Sequence, residues 1–425
     1  MHSKCAILIA FVLGCLCACK SDSDDEQQQA VILPVEMAYS TGLPVVVINT
    51  PDSCPIASKT EWVEDAEMTL CYTDGQKQQL SKTSIRGHGN VTWVRYPKKA
   101  YSLKLDKKTS LAGMKAAKRW VLLANWADRT LLRNDVAFEI ARHTSLEWTP
   151  SGTFVELVLN GNYVGSYYLC EKIQIGKNRL NITEMNYDDD SEEAITGGYL
   201  MEIDAYFDEV FKFRSAVYNL PYQFRNPDEE TLSKKMFDYM QQYVNQMELL
   251  LSDDQSLQSG RHKDYIDLQS FADWWIVNEL CFNKDVAKFK SIYVYKERGK
   301  VLKAGPVWDF DFSTFTPCDE IFLADKFPYI QRLLQTQDFR QIVSERWGEL
   351  RPTLDAIPDY IDSKVELLRV SEEQNIQMWP IGTKSNGDGQ LTYQEAIDRM
   401  KQSFLLRVQV LDDYIRTLVP YFFSF

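Results

Sequence analysis

Arg86-Gly87-His88-Gly89-Asn90-Val91-Thr92-Trp93 lies between two strand-like runs, and its two glycines flank a single residue. Such a turn lets backbone N–H groups approach an anion, although most Gly-x-Gly turns are plain reversals. The residues downstream sharpen the reading. Lys98 and Lys99 precede an alternating run at 100–105, with Tyr101, Leu103 and Leu105 on one face and Ser102 and Lys104 on the other. A glycine turn followed by a cationic strand is an order in which phosphates can be held first by backbone and then by Lys. Lysines that merely face solvent are the alternative.

Working outward, 154–159, Asn160-Gly161 and 163–169 predict a hairpin with a type I′ turn, because both turn residues need positive φ. Upstream, Val45-Val46-Val47-Ile48 is β-branched and Asn49-Thr50-Pro51-Asp52 is a turn cluster. Residues 31–83 therefore read as a small β segment packed on, or extending, the main domain. A helix is expected from about Arg129, with Asp128 as N-cap. Asn226-Pro227-Asp228-Glu229-Glu230 reads as a second helix start, with Asn capping, Pro in the first turn and acids at the positive end of the dipole. Met236, Met240, Tyr243, Val244, Met247 and Leu251 continue it at helical spacing as a core stripe. A further helix is expected over 268–282, strands at 198–203 and 301–307, and a mostly helical chain beyond Phe322. The fold class is α+β, without internal repeats.

The strand at 301–307 runs into Trp308-Asp309-Phe310-Asp311, where alternation puts both carboxylates on one side. Acids at the end of an apolar strand are costly unless paired or bound to a cation, so a metal site and an Arg partner or N-cap are both open. Asn283-Lys284-Asp285 follows the helix at 268–282, some two dozen residues before Asp309. A carboxylate that takes a hydroxyl proton, followed by a strand and a metal-binding Asp, is the logic of phosphotransfer. Asn386-Gly387-Asp388-Gly389-Gln390-Leu391-Thr392-Tyr393-Gln394-Glu395 partly matches a calcium loop, with Gly389 at the sixth place. Its first ligand would be Lys384, which cannot bind calcium, and Trp379-Pro380 breaks the incoming helix, so a turn into a capped helix is the better reading.

Of 425 residues, 45% are hydrophobic and 25% charged, enough for a packed core. Lys and Arg total 47 against 60 acids, a net charge of -13, which argues against nucleic acid but not against a nucleotide. Four His and no Cys-x-x-Cys argue against zinc. Met1-His2-Ser3-Lys4 and the apolar run 6–19 form a leader too short to span a bilayer as a helix. It ends Leu16-Cys17-Ala18-Cys19, which resembles a bacterial lipobox with Cys19 as the lipidated residue; an ordinary signal peptide or an N-terminal anchor is the alternative. The expected location is lipid-anchored outside the cytoplasm, at the outer membrane or cell surface. Residues 20–30 are an acidic tether. Five Cys remain beyond the leader, an odd number, and Cys54 and Cys71 are near enough in sequence to bridge.

Six blocks, in order, carry a resemblance over roughly 43–312. They are Arg86-Gly87-His88-Gly89-Asn90 to Trp93 with Pro97-Lys98-Lys99-Ala100-Tyr101; Asp128-Arg129-Thr130-Leu131-Leu132-Arg133-Asn134; Leu159-Asn160-Gly161 through Gly165-Ser166-Tyr167 to Glu171; Gly197-Gly198-Tyr199-Leu200-Met201-Glu202-Ile203-Asp204; Asn283-Lys284-Asp285; and Pro306-Val307-Trp308-Asp309-Phe310-Asp311. The chain resembles the CotH family, the spore-coat-protein-H-like atypical kinases, and in particular its lipoprotein members from gut Bacteroidetes. The resemblance implies a divergent protein-kinase-like fold over 84–321, preceded by the β segment 31–83 and followed by a helical region, 322–425, packed on it. It implies transfer of phosphate from ATP, with Mg2+ or Mn2+, to hydroxyls of exported proteins, with contact to a membrane through the lipid anchor only.

In that reading Asp285 takes the catalytic-base position and Asp309 the metal position, with Asp311 as second support. Arg86, Gly87, Gly89 and either Lys99 or Lys104 meet the nucleotide; strand parity with a covered cleft favours Lys99. Glu171 and Glu139 compete to orient that Lys. One departure stands out: 286–292, Val-Ala-Lys-Phe-Lys-Ser-Ile, lacks the Asn that would hold a second metal, leaving Lys288 or Lys290 to supply charge instead. This departure favours the rival reading, a catalytically weak kinase-like scaffold that binds protein or glycan at the cell surface. A glycoside hydrolase is disfavoured because the acids cluster at one strand end with no opposing acid.

Overall fold

Thr50 and Asn160, 110 residues apart, tie the first strand to the tip of a hairpin. Asn160 Oδ1 accepts from the Thr50 N–H at 2.8 Å and from its hydroxyl at 3.1 Å. The computed structural model describes residues 31–380 and 386–419; the leader with Cys19, the tether and Lys384 lie outside the described residues. The expected hairpin is present, with Asn160 at φ 48° and Gly161 at φ 75°, the left-handed pair a type I′ turn requires. It joins β6 (Gly152–Leu159) to β7 (Asn162–Glu171).

These strands belong to a closed barrel with β1 (Val45–Asn49), β2 (Val63–Cys71), β3 (Lys77–His88), β4 (Ala100–Thr109) and β5 (Ala117–Leu123). The order is β1-β2-β3-β4-β5-β7-β6. Neighbours run antiparallel except β1 and β6, whose parallel pairing closes the ring. Segment 31–83 thus extends the main sheet, supplying β1, β2 and the first half of β3. Side-chain alternation sorts the strands into two faces. Ile48, Met68, Ile85, Leu103, Trp120 and Leu157 fill the barrel, whereas Val121, Phe154, Tyr168 and Cys170 point outward into the larger core.

That core holds a second antiparallel sheet of order β12-β11-β8-β10-β9, made of β8 (Tyr199–Ile203), β9 (Lys212–Arg214), β10 (Pro221–Asn226), β11 (Ile292–Lys296) and β12 (Leu302–Ala304). The helices are α1 (Val91–Arg95), which packs on β3 of the barrel, α2 (Arg133–Arg142), α3 (Lys234–Ser252), α4 (Asp254–Gln258), α5 (Leu268–Leu280), α6 (Pro328–Leu333), α7 (Gln337–Leu350), α8 (Ile357–Met378) and α9 (Tyr393–Leu418). The fold is mixed α+β, and the helical region after 322 packs on the second sheet and α5 through one continuous core. Among the described residues no helix is long and apolar enough to cross a membrane.

Two local expectations are corrected, and one pairing left open is absent. Helix α3 does not begin at Asn226, because 221–226 form β10 and Asn226 still pairs with Leu200 of β8. The helix starts at Lys234, capped by the Ser233 hydroxyl, and Met236, Met240, Val244, Met247 and Leu251 are buried as the stripe predicts. Helix α2 starts four residues later than expected, at Arg133, with Asp128 held before it as the centre of a turn. Cys54 and Cys71 are both free thiols.

The turn ahead of α2 is a buried ionic knot. Asp128 accepts from the Thr130 N–H and hydroxyl at 2.9 and 2.6 Å, from the Arg133 N–H at 2.9 Å and from its guanidinium. Arg133, 1% exposed, also donates to Asp388 Oδ2 at 2.6 Å and to the Thr314 carbonyl at 3.1 Å. Asp388 is further bonded by Arg399 at 2.6 Å. Asn386 donates to the carbonyls of Asp311 and Ala127 and accepts from the Ser313 N–H. The side chains that resembled calcium ligands are therefore engaged by protein groups, and Thr392 with Glu395 forms the capping box of α9.

A second knot joins α9 to α5: Arg407 pairs with buried Glu279 and donates to the Cys318 and Glu320 carbonyls, while Glu279 accepts from the Phe322 and Leu323 N–H groups at 2.8 and 2.6 Å. Removing one partner of such a pair leaves a buried charge uncompensated. Arg133→Ala, which orphans parts of both Asp128 and Asp388, is expected to lower unfolding stability by about 3–5 kcal/mol in urea melts. A loss under about 1 kcal/mol, the size of an exposed ion pair, would show that the knot is solvated.

Candidate functional site

The glycine turn and the β3–β4–β5 face meet the second sheet along one seam. Register fixes which strand residues look into it. Arg86 pairs with Ser102, Lys104 with both Ser84 and Arg119, and Ser102 with Val121, so Arg86, Ser102, Lys104 and Arg119 share the outward face. Glu171 pairs with Trp120, on the inward face, so Lys172 after it turns outward.

Three cations crowd this outward face. Arg86 lies 4.4 Å over the Trp62 ring and Arg119 lies 6.0 Å from the same ring. Burial and the neighbouring Arg119 hold the Arg86 guanidinium below its usual range. Burial, then repulsion from Arg119, Arg86 and Arg225, pulls the Lys172 ammonium down to about 7, against the attraction of Glu202. His88, bonded to the Ser102 hydroxyl at 2.9 Å, is driven down to about 3 by burial and by Lys172 and Arg225. Cations gathered this closely favour an anion between them.

Across the seam stand carboxylates. Asp285 caps the short turn after α5; its N–H donates to Asn283 Oδ1 at 3.2 Å, and Asn283 is held in turn by Asn278. Lys288 and Lys290 approach its two oxygens at 3.4 and 3.8 Å. Asp309 has φ 68°, so the segment is not extended there and simple alternation does not apply. It is the left-handed turn that leaves Asp309 and Asp311 facing one another. Phe310 between them is anchored by its N–H donating to Asn134 Oδ1 at 2.8 Å, from the first turn of α2.

Burial and repulsion from Asp285 lift Asp309 to about 6, with the Ser291 hydroxyl at 3.2 Å holding it back. Burial and the charges of Asp309, Asp128 and Asp285 lift Asp311 well above its usual range. Asp204, raised to about 7 by burial and Glu202, accepts from the Tyr206 and Ser291 N–H groups. The Tyr96 hydroxyl, just beyond α1, is pushed up to about 12 by burial and by the nearby charges of Asp311, Asp309 and Asp285.

Among the described residues no three or more His, Cys, Asp or Glu side chains form a metal-holding group. The donor set nevertheless suits Mg2+, which is ordinarily bound by one or two carboxylates plus substrate phosphates. Repelling carboxylates such as Asp309 and Asp311 are the chemistry a hard cation relieves.

The structure gathers Asp285, Asp309, Asp311 and Arg86 about this seam, and Lys104 shares the outward strand face. It does not gather the rest. Lys99 donates to the Trp93 carbonyl at 2.6 Å, because its parity directs it away from the outward face, opposite to the expectation that favoured it over Lys104. Glu171 is paired with Arg179 at 2.6 Å on the inward side, and Glu139 with Arg142 and His143, so neither orients a seam lysine. Gly87 donates its N–H to the Ser58 carbonyl at 2.8 Å and lacks a Cβ because the Trp93 ring occupies that space, 2.5 Å away. It serves packing, not an anion. Gly89, at φ 83°, makes the turn into α1.

Sequence reading missed Lys172, Arg119, Tyr96, Asp204 and the Glu202–Arg225 pair, bonded at 2.6 Å. Alternation along β5 and β7 carried the signal for the first two. The others depend on how the second sheet docks, which no local pattern encodes.

No curated protein matches the chain. A family profile, described as CotH kinase protein, matches residues 85–416, most of the chain, running past the last motif at 306–311 into α9. On that match the chain belongs to the CotH kinase protein family.

Proposed function

We propose that this chain is an exported protein kinase that moves a phosphoryl group from ATP to a protein hydroxyl, with Asp285 accepting the hydroxyl proton. The observation that carries the reading is the seam itself, with Arg86, Arg119 and Lys172, none of them in an ion pair among the described residues, on one wall and Asp285, Asp309 and Asp311 on the other. The cationic wall suits the phosphate chain and the carboxylates suit the metal that accompanies it. Mg2+ bound there would neutralise charge that develops on the phosphoryl oxygens. Asp309 and Asp311 would hold it, with the Tyr96 hydroxyl nearby, and Asn283 fixes the turn that aims Asp285. Lys290, between Asp285 and Asp309, stands where kinases of this plan carry Asn, and supplies one fixed positive charge in place of a second metal.

Labelled ATP, Mg2+ or Mn2+ and a casein-like acceptor test this directly. Asp285→Asn is expected to lower transfer by at least about 100-fold, the scale of general-base catalysis. Asp309→Asn should abolish both transfer and metal-dependent ATP binding. Wild type without transfer, and nucleotide binding indifferent to Asp309, would end the reading.

Lys172 gives a separate test through proton linkage. Its free pKa is held near 7, and a bound phosphate raises it, so the site takes up a proton on binding above pH 7. Affinity for ATP should be fullest below pH 7 and fall as pH rises through it. Calorimetry at pH 8 in buffers of different ionisation heat is expected to show uptake approaching one proton, absent in Lys172→Met.

A second reading rests on Lys288 and Lys290, which lie against the two oxygens of the Asp285 carboxylate where an acceptor hydroxyl would have to approach. On this reading the chain is a surface scaffold that binds protein or glycan. A thermal-shift screen separates the two, since only the kinase reading expects stabilisation by Mg-ATP. The lipobox resemblance completes the proposal with a lipid on Cys19. Metabolic labelling with palmitate should mark the wild type and spare Cys19→Ala; equal labelling removes the anchor from the proposal.

A further inference from the structure

Beside Asp285 lies a cavity of about 410 Å³ that the phosphotransfer reading does not use. Lys284, Phe312, Ser313, Thr316, Asn386 and Arg399 line it. Its composition is lopsided for a chain of net charge -13: two cations, two hydroxyls and an amide, with no carboxylate among the lining residues. Arg399 is fixed there by donating to the Gly387 carbonyl at 2.9 Å and to Asp388 at 2.6 Å. Asp388 is shared with Arg133 and so does not cancel Arg399 alone. Lys284 lies 4.7 Å over the Phe282 ring and makes no ion pair among the described residues. Burial, with Lys288 and Arg399 acting in the same direction, lowers its ammonium.

A second observation points independently to a ligand. Thr316 is 6% exposed, yet its hydroxyl has no hydrogen-bond partner among the described residues. An unsatisfied buried hydroxyl is costly, and one that lines a cationic cavity is satisfied when an acceptor oxygen enters. The position matters as much as the chemistry. Lys284 immediately precedes Asp285, and Phe312 and Ser313 immediately follow Asp311, so the cavity borders the two segments that carry the candidate base and the paired aspartates.

We propose that this cavity receives an acidic side chain of the acceptor polypeptide, a few residues from the hydroxyl offered to Asp285. The carboxylate meets Lys284 and Arg399 and accepts from the Thr316 and Ser313 hydroxyls. The substrate class is therefore a Ser- or Thr-containing segment flanked by Asp or Glu, and a basic flank is repelled. This rests on the kinase reading for its biological sense, but the binding site stands or falls by itself.

The test reads binding without nucleotide. Two fluorescein-labelled peptides of equal length, one Ser-Glu-rich and one Ser-Lys-rich, are titrated with the full-length protein and followed by anisotropy. The acidic peptide should bind at least about tenfold more tightly, with affinity falling as salt rises. Lys284→Glu should abolish that preference, Lys284→Arg should keep it, and Thr316→Val should weaken acidic-peptide binding about threefold. If Lys284→Glu fails to fold, Lys284→Gln serves, with at least a fivefold loss expected. Equal binding of the two peptides, or a preference unmoved by Lys284 substitution, overturns the proposal. Acidic-peptide binding by a protein that transfers no phosphate would sink the kinase reading alone and leave the cavity's assignment in place.

Discussion

Everything at the seam depends on one buried guanidinium. Arg133 is bound by Asp128 before α2, by Asp388 before α9 and by the Thr314 carbonyl after the paired aspartates. These partners come from three regions spanning more than 250 residues, and without the guanidinium each loses a hydrogen bond in a buried place. Joined, they fix the first turn of α2 against the segment that carries Asp309 and Asp311. Asn134, one residue on, then holds the Phe310 N–H. A buried ion network of this kind adds little net stability over apolar packing, but it permits only one arrangement of its partners. Here that arrangement aims two carboxylates into the seam.

The second knot, Arg407 with Glu279, does for Asp285 what Arg133 does for Asp309. Helix α9 reaches back to the C-terminal end of α5 and to the loop at 318–323, so the turn carrying Asp285 leaves a helix end that cannot shift. The helical region after 322 is therefore the frame on which both halves of the candidate site are hung. The family match running through residue 416 agrees with that division of labour.

Much of this was legible in the chain. The Asn160-Gly161 hairpin, the Met stripe of α3 and the helix α5 all depend on local pattern, and local pattern carried them, whereas the strand alternation expected at Asp309 and Asp311 is broken by the left-handed turn at Asp309. What failed did so for identifiable reasons. Asn226-Pro227 has every sign of a helix start, but strand pairing with β8 takes Asn226 first, tertiary demand overriding a local preference. The parity argument that favoured Lys99, with Lys104 kept beside it, assumed that the apolar face of β4 looks into the cleft; in a closed barrel that face is the interior, and the candidate seam lies on the other side. The candidate lysine of the outward face, Lys172, hid behind its neighbour Glu171, one residue out of phase.

The parallel pairing of β1 with β6 separates what is shared by the family from what can stand alone. The match begins at residue 85, inside β3, yet β1 and β2 lie between β3 and β6 in the ring. A chain starting at that boundary would present two bare strand edges, with Glu156 and Leu157 stripped of their β1 partners and the Ile48 and Met68 side chains gone from the interior. The inherited motif set and the autonomous folding unit thus have different borders. Residues 45–71, which carry none of the motifs, decide whether the motifs have a surface to sit on.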